Sequence, residues 1–274
     1  MGPLTVRDRD RGPLRSVALA WTFVRIGAMT ELQYRVNFFI QIFQTMIMVG
    51  TALAVLALVF SHTKELDGWS SAELLVVMGI HVLMGGIIRT LIQPNMIRLI
   101  EDVREGKLDY ALTKPEDAQL LVSVRDIRIW QFVDVLVGAV ILVVAIARHD
   151  GEVGAGAATA FAVALLLGAV MIYCFWMILT IGAFWIVRME FIVELFEGVY
   201  QAGRWPVTIY PGWLRASLTF LVPIGFAITV PAQSITGRLN WPTLVGAAVF
   251  AIVLFALTRV LWRMGLRRYS GASA

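Results

Sequence analysis

The side chains in this sequence with the chemistry to act are few, and most sit in apolar surroundings. Glu190, Glu194 and Glu197 recur at i, i+4 and i+7, which places three carboxylates on one helix face. Paired carboxylates serve as acid and base or as metal ligands. No histidine is close to them in sequence and Arg188 and Arg204 flank them, so a solvated face or a partner contact is the plainer reading. His81 lies within an apolar run and Arg89 follows about two turns later. Ionisable groups at depth cost about 2.5–3.5 kcal/mol for a central arginine on insertion scales, so they face a bundle interior or a cavity. Arg89, near the end of its run, has the alternative of snorkelling. For His81 the alternatives are hydrogen-bonded packing and substrate contact.

Gln41, Gln44 and Thr45 give a polar edge to a stretch that also carries Phe38, Phe39, Phe43, Met46 and Met48. Such an edge joins helices or lines a pathway, and methionine-rich surfaces tolerate varied apolar ligands. Cys174 is the only cysteine, which excludes an intrachain disulfide and a thiolate metal cluster. These residues predict no catalytic group, no metal and no cofactor held by this chain.

The elements that must position these residues are membrane spans. Of 274 residues, 59% are hydrophobic and 15% are charged, against about a quarter charged in soluble domains. Apolar runs long enough to cross fall near 38–60, 73–93, 130–147, 157–187, 214–231 and 242–262. No ten-residue alternating pattern recurs, so the spans are expected as helices rather than barrel strands. The fourth run, as a straight helix of about 47 Å, must tilt, kink or emerge.

With the N-terminus inside, the outer connections hold only Lys64, Arg148 and Arg238, and the other 20 of 23 basic residues lie inside. The net charge of +4 is therefore read as topology, not as a nucleic-acid surface. The expected fold is an all-α integral membrane protein of six transmembrane helices with both termini cytoplasmic. Residues 1–37 form a cytoplasmic segment, 38–262 the membrane domain and 263–274 a cytoplasmic tail. The N-terminal arginines are not followed by a signal-peptide pattern. Leu14, Val17, Ala18, Trp21, Val24 and Ala28 recur at helical spacing and predict a helix lying in the inner interface.

The cytoplasmic connection 94–128 is too long for a turn and dense in both signs of charge. Pro94 is expected to stop the second span and Asn95 to cap a new amphipathic helix, with Met96, Ile97, Ile100 and Val103 as its apolar stripe. Arg98, Glu101, Asp102, Arg104 and Glu105 then occupy the wet face, Gly106 ends the helix, and Lys107, Leu108 and Asp109 begin a second segment. A rigid helix tied at both ends to spans is suited to passing a partner's movement into the membrane. In the fifth run, Pro223 and Pro231 each remove a backbone hydrogen bond and predict a broken helix, either a moving part or a static kink.

The stretch DVREGKLDYALTKPEDAQLLVSVRD, 102–126, resembles the cytoplasmic loop of the ABC-2 type exporter permeases, the likeness resting on Gly106, Leu108, Asp109, Leu112, Lys114 and Pro115. RWPVTIYPGWLR, 204–215, with Val222-Pro223 and Val230-Pro231-Ala232, and LQYRVNFFIQ, 32–41, are similar to other segments of the same family. The resemblance implies a multi-pass permease of the bacterial cytoplasmic membrane that pairs with a second six-span permease, identical or homologous. It further implies two copies of a cytosolic ATPase, which bind ATP and Mg and dock on the 98–109 segment, and outward movement of amphipathic or lipophilic compounds, as in multidrug efflux. The residues agree on one point: no G-x-x-x-x-G-K-[ST] occurs, so nucleotide energy must come from another chain. Two other readings stand beside it, a proton-driven secondary transporter with His81 as relay and a membrane scaffold without transport.

Overall fold

A computed structural model describes residues 35–114, 117–148, 153–185 and 191–269. The interfacial helix expected over 14–35 lies, but for its last residue, outside them. Helix α1, Arg35–His62, is largely exposed along its length. Helix α2, Ser71–Ile87, starts in a capping box in which the Ser70 hydroxyl accepts from the Glu73 N–H and the Glu73 carboxylate accepts from the Ser70 N–H. It is the most buried element and forms the centre of the bundle.

Pro94 does not end this span. A π turn, Ile88–Ile92, carries α2 directly into α3, Gln93–Arg104, making one rod from Ser71 to Arg104. At 1.5 Å per residue these 34 residues measure about 51 Å, well beyond a hydrocarbon core of about 30 Å. The π turn is what admits the proline: the Gln93 N–H donates to Ile88 O, and the Thr90 carbonyl, which the imino nitrogen of Pro94 cannot use, accepts instead from the Arg128 N–H at 3.1 Å. The expected helix lying across the span ends is therefore the projecting end of the second span itself.

Short helices α4, Asp109–Leu112, and α5, Ala118–Ser123, lead back to α6, Phe132–Arg148. Helix α7, Ala155–Ile181, runs on through a 3-10 turn at Gly182–Phe184. Helices α2 and α6 meet with their backbones nearly touching. A Cβ at Gly86 would lie 2.6 Å from Val135 N, one at Gly79 would lie 2.9 Å from Leu142 N, and one at Gly138 would collide with the Leu83 backbone. Small residues that permit such approach hold helices together in lipid, where apolar burial gives little.

The 214–231 run does not form one crossing. Gly212–Leu221, which includes α9 (Gly212–Ala216), and Gly225–Ile235, which includes α10 (Val230–Ile235), meet at 83° across the Pro223 break. Both ends of this pair reach the same side. Before it, the Thr208 hydroxyl accepts from the Trp69 indole at 3.1 Å; after it, Arg238 donates to both oxygens of Glu73, at 2.7 and 2.9 Å, and to Gly68 O. Gly68 and Trp69 immediately precede α2 and Glu73 is in its first turn, all at its outer end, so the pair is a hairpin entering and leaving from outside. Pro231 sits in the first turn of α10, behind the π turn Gly225–Thr229, and breaks nothing.

The crossing from the inner end of α7 is made by α8, Ile192–Tyr200, and the 3-10 turns Gln201–Arg204 and Val207–Ile209. Its Glu197 approaches Arg89 near the inner side, its Tyr200 hydroxyl donates to His81 O at mid-depth, and Thr208 meets Trp69 outside. Helix α11, Trp241–Leu266, returns to the inner face. The expectation that Arg204 and Arg215 lie in an inner connection is thus corrected: Arg204 is within the bundle and Arg215 is on the outer side. Removing these two from the 20 basic residues expected inside leaves the expected charge asymmetry in the same direction. The misplacement arose because α8 and its 3-10 continuation are short and carry charge, whereas the hairpin is apolar and long enough to imitate a span.

Gly138→Ala should lower thermal stability of the purified protein, by about 1–3 kcal/mol if α2 and α6 are forced apart. Gly246→Ala in α11, where an added Cβ meets nothing within 4 Å, should leave stability equal or slightly raised. Equal melting temperatures for the two variants would contradict the close α2–α6 contact.

Candidate functional site

The inner-face lever is built by its own local chemistry. Gly106, at φ +69°, lets the chain close α3 with the Lys107 N–H on Asp102 O and the Gly106 N–H on Val103 O, the paired bonds of a Schellman stop. Asn95, rather than capping a helix, uses all four of its hydrogen bonds as a clasp. Its amide donates to Leu91 O and Asp126 O, each at 2.7 Å, and its carbonyl accepts from Arg125 and Asp126 N–H, each at 2.8 Å. The buried stripe is Gln93, Met96, Leu99 and Asp102, with Ile97, Ile100 and Val103 only partly covered.

This divides the expected docking residues. Asp102 is buried and accepts from Arg125 at 2.7 Å, and Leu108 is fully buried with its N–H donating to the Tyr269 hydroxyl at 3.1 Å. Both hold the lever's shape. Asp109 opens α4. Arg98, Glu101, Arg104, Glu105 and Lys107 face outward, with Arg98 3.8 Å from Asp126 and Lys107 2.6 Å from Glu105. The bond from Lys107 holds the exposed Glu105 carboxyl below its usual range.

Two further spans brace the lever. Tyr173 of α7 bonds Gln119 and Ser123 of α5, and Arg259 of α11 donates to Asp117 and Gln119. Partial burial works to raise the Asp117 carboxyl, but Arg259 and the Leu120 N–H outweigh it and hold the group below its ordinary value.

Behind the lever lies a buried charge cluster. Arg89, on the π turn, donates two bonds to Asp134 of α6, at 3.1 and 2.7 Å; Gln41 and Thr45 of α1 donate to the other oxygen of the same carboxylate. Glu197 approaches Arg89 at 4.0 Å. Arg89 therefore pairs rather than snorkels, and one site joins α1, the α2–α3 rod, α6 and α8. Gln44, placed with Gln41 on the polar edge, is exposed. Glu194 is exposed too, and Glu190 lies outside the described residues. Asp134 was not singled out from sequence, although it is the only acid in its apolar run.

His81 stacks on Tyr200 with centroids 4.5 Å apart, and its Nδ1 has no hydrogen-bond partner among the described residues. It lines, with Met48, Ala52, Met78, Arg204 and Trp205, a cavity between α1, α2 and the crossing after α8. Pro223, at the hairpin break, lies beyond this cavity, beside Ile224, which packs on Gly203.

A helical bundle with, among the described residues, five helices long and apolar enough to cross, and a central one that extends into a braced inner end, defines a multi-pass membrane protein. The sequence profile described as ABC-2 family transporter protein matches residues 46–273, and the chain belongs to that family. No curated protein and no solved structure matches it.

Asp134→Leu alone should destabilise the protein by about 3–5 kcal/mol, because it strands the Arg89 charge. The pair Arg89→Met with Asp134→Leu should cost clearly less than the sum of the single changes in denaturation of the detergent-solubilised protein. Strict additivity would show that the two side chains do not act as a unit.

Proposed function

We propose that this chain is the membrane half of an ATP-driven exporter of the bacterial cytoplasmic membrane. It pairs with a second permease, identical or homologous, and with two copies of a separate cytosolic ATPase that carries ATP and Mg. The observation that carries this reading is the rod from Ser71 to Arg104, in which one continuous helix is both the central span and the exposed inner lever. A partner that moves the face of Glu101, Arg104, Glu105 and Lys107 moves α2 without a hinge loop between. The Arg89–Asp134 pair passes the displacement to α1 and α6, and Tyr173 and Arg259 pass it to α7 and α11. The chain itself supplies no hydrolytic residue; its part is to bind, convey force and line a route. Amphipathic or lipophilic compounds suit a cavity whose walls are mainly apolar.

The closed lever gives a test that separates docking from folding. Glu101→Lys with Glu105→Lys should reduce ATPase co-purification and ATP-dependent transport while leaving the melting temperature unchanged. Asp102→Leu should instead destabilise the loop by leaving Arg125 unpaired. Undiminished ATPase capture by the double reversal would refute the docking assignment, and transport by the chain alone under a proton gradient without ATP would refute the exporter reading.

A further inference from the structure

Among the described residues, no acid pairs with the second arginine within the bundle. His81 is ten residues into α2, about 15 Å from its outer start, and so near the middle of a hydrocarbon core of about 30 Å. Arg204 lines the same cavity, and Gly203 beside it packs directly against the His81 ring. No hydrogen bond or ion pair reaches the Arg204 guanidinium among the described residues.

Three described acids of the bundle are committed elsewhere: Glu73 to Arg238 at the outer end, Asp134 to Arg89, and Glu197 toward Arg89 from the inner side. Helix α1, the facing wall, contains no acid at all. Retaining an arginine at this depth costs about 2.5–3.5 kcal/mol on insertion scales, and no described residue offsets that cost with a counter-charge. His81, only 5% exposed, also lines this cavity, and its buried Nδ1 has no hydrogen-bond partner among the described residues.

We propose that the cavity between α1, α2 and the Gln201–Ile209 segment binds the oxyanion head of an amphiphile, a carboxylate or phosphate, on Arg204 beside His81. The planar guanidinium donates two parallel bonds to such a head, a fit that no ammonium offers. The cavity measures about 80 Å³, enough for the head and the atoms next to it. The apolar remainder of the ligand lies along Met48, Ala52 and Met78 toward the exposed side of α1. Trp205 lines the cavity beside the arginine.

The inference rests on the permease reading above and narrows its substrates to acidic amphiphiles. It differs from the general expectation of greasy compounds in predicting charge selection. It also explains an otherwise costly residue that belongs neither to the lever nor to the Arg89–Asp134 cluster.

The test is binding to the full-length chain in nanodiscs of zwitterionic phosphatidylcholine, with dodecyl phosphate, dodecanoate and dodecyltrimethylammonium as probes of equal tail length. The two anions should bind about tenfold or more tighter than the cation. Arg204→Gln should abolish that preference, whereas Arg204→Lys should keep part of it. Ala52→Phe, which fills the cavity and leaves Arg204 in place, should block all binding there and guards against a fold defect in the arginine variants.

Competition by phosphatidylglycerol added to the discs would identify a lipid head group as the occupant, and absence of competition would identify a free amphiphile. Equal affinity for anion and cation, or an Arg204→Gln protein that binds the anions as the parent does, would overturn the proposal. ATPase capture by the lever is read separately, so loss of this site and loss of the exporter reading are distinguishable.

Discussion

The Arg89–Asp134 ion pair is the constraint on which the membrane half of this protein turns. A guanidinium and a carboxylate in a largely apolar bundle tolerate each other only when each satisfies the other, and here the second carboxylate oxygen is also taken, by Gln41 and Thr45. Lipid gives helices little reason to associate through apolar contact alone. Shape complementarity at Gly79, Gly86 and Gly138 sets how close α2 and α6 come. The ion pair fixes their register and adds α1, whose remaining surface is open. Because Arg89 sits on the π turn, the same pair lies where the span becomes the lever.

In the proposed coupling, that position makes the π turn the joint between span and lever. An inserted residue shifts the hydrogen-bond ladder so that Pro94 fits without ending the helix, and the carbonyl it leaves unused, Thr90 O, is taken by Arg128 from the returning chain. The lever is therefore fastened to its own root by backbone as well as by the Asn95 clasp. An isolated cytoplasmic loop helix would swing on its linkers. In the proposed coupling, a lever whose root is the central span carries the bundle with it.

How much of this was legible in the sequence depends on the scale of the signal. Apolar runs identify membrane helices because bilayer thickness imposes that pattern directly, and the positions of Lys and Arg set the expected orientation. The resemblance carried by 102–126 led to the family. Gly106 read correctly as a helix stop because only the left-handed turn there demands it. Pro94 and Asn95 misled for the opposite reason: both are good local terminators, and local rules do not register a π turn that removes the proline's conflict. The fifth crossing was hidden likewise. Composition favours the long apolar hairpin over the short, charged segment 192–209, and only contacts at Trp69 and Glu73 reveal which of them crosses. Asp134 as a paired charge, and Arg204 as one with no counter-charge among the described residues, became visible once their neighbours were in place.

The central claim is that the outward face of the α3 end touches a nucleotide-driven partner and moves the span behind it. Its most direct measurement is site-directed crosslinking in native membranes, with a single cysteine placed at Lys107 and Cys174 left in its buried position. A crosslink from this cysteine to an ATPase chain, with a yield that changes on adding ATP, is the result expected. A Lys107→Cys protein that is freely labelled by a water-soluble thiol reagent whether or not the ATPase is present, and never joins to it, would contradict the account.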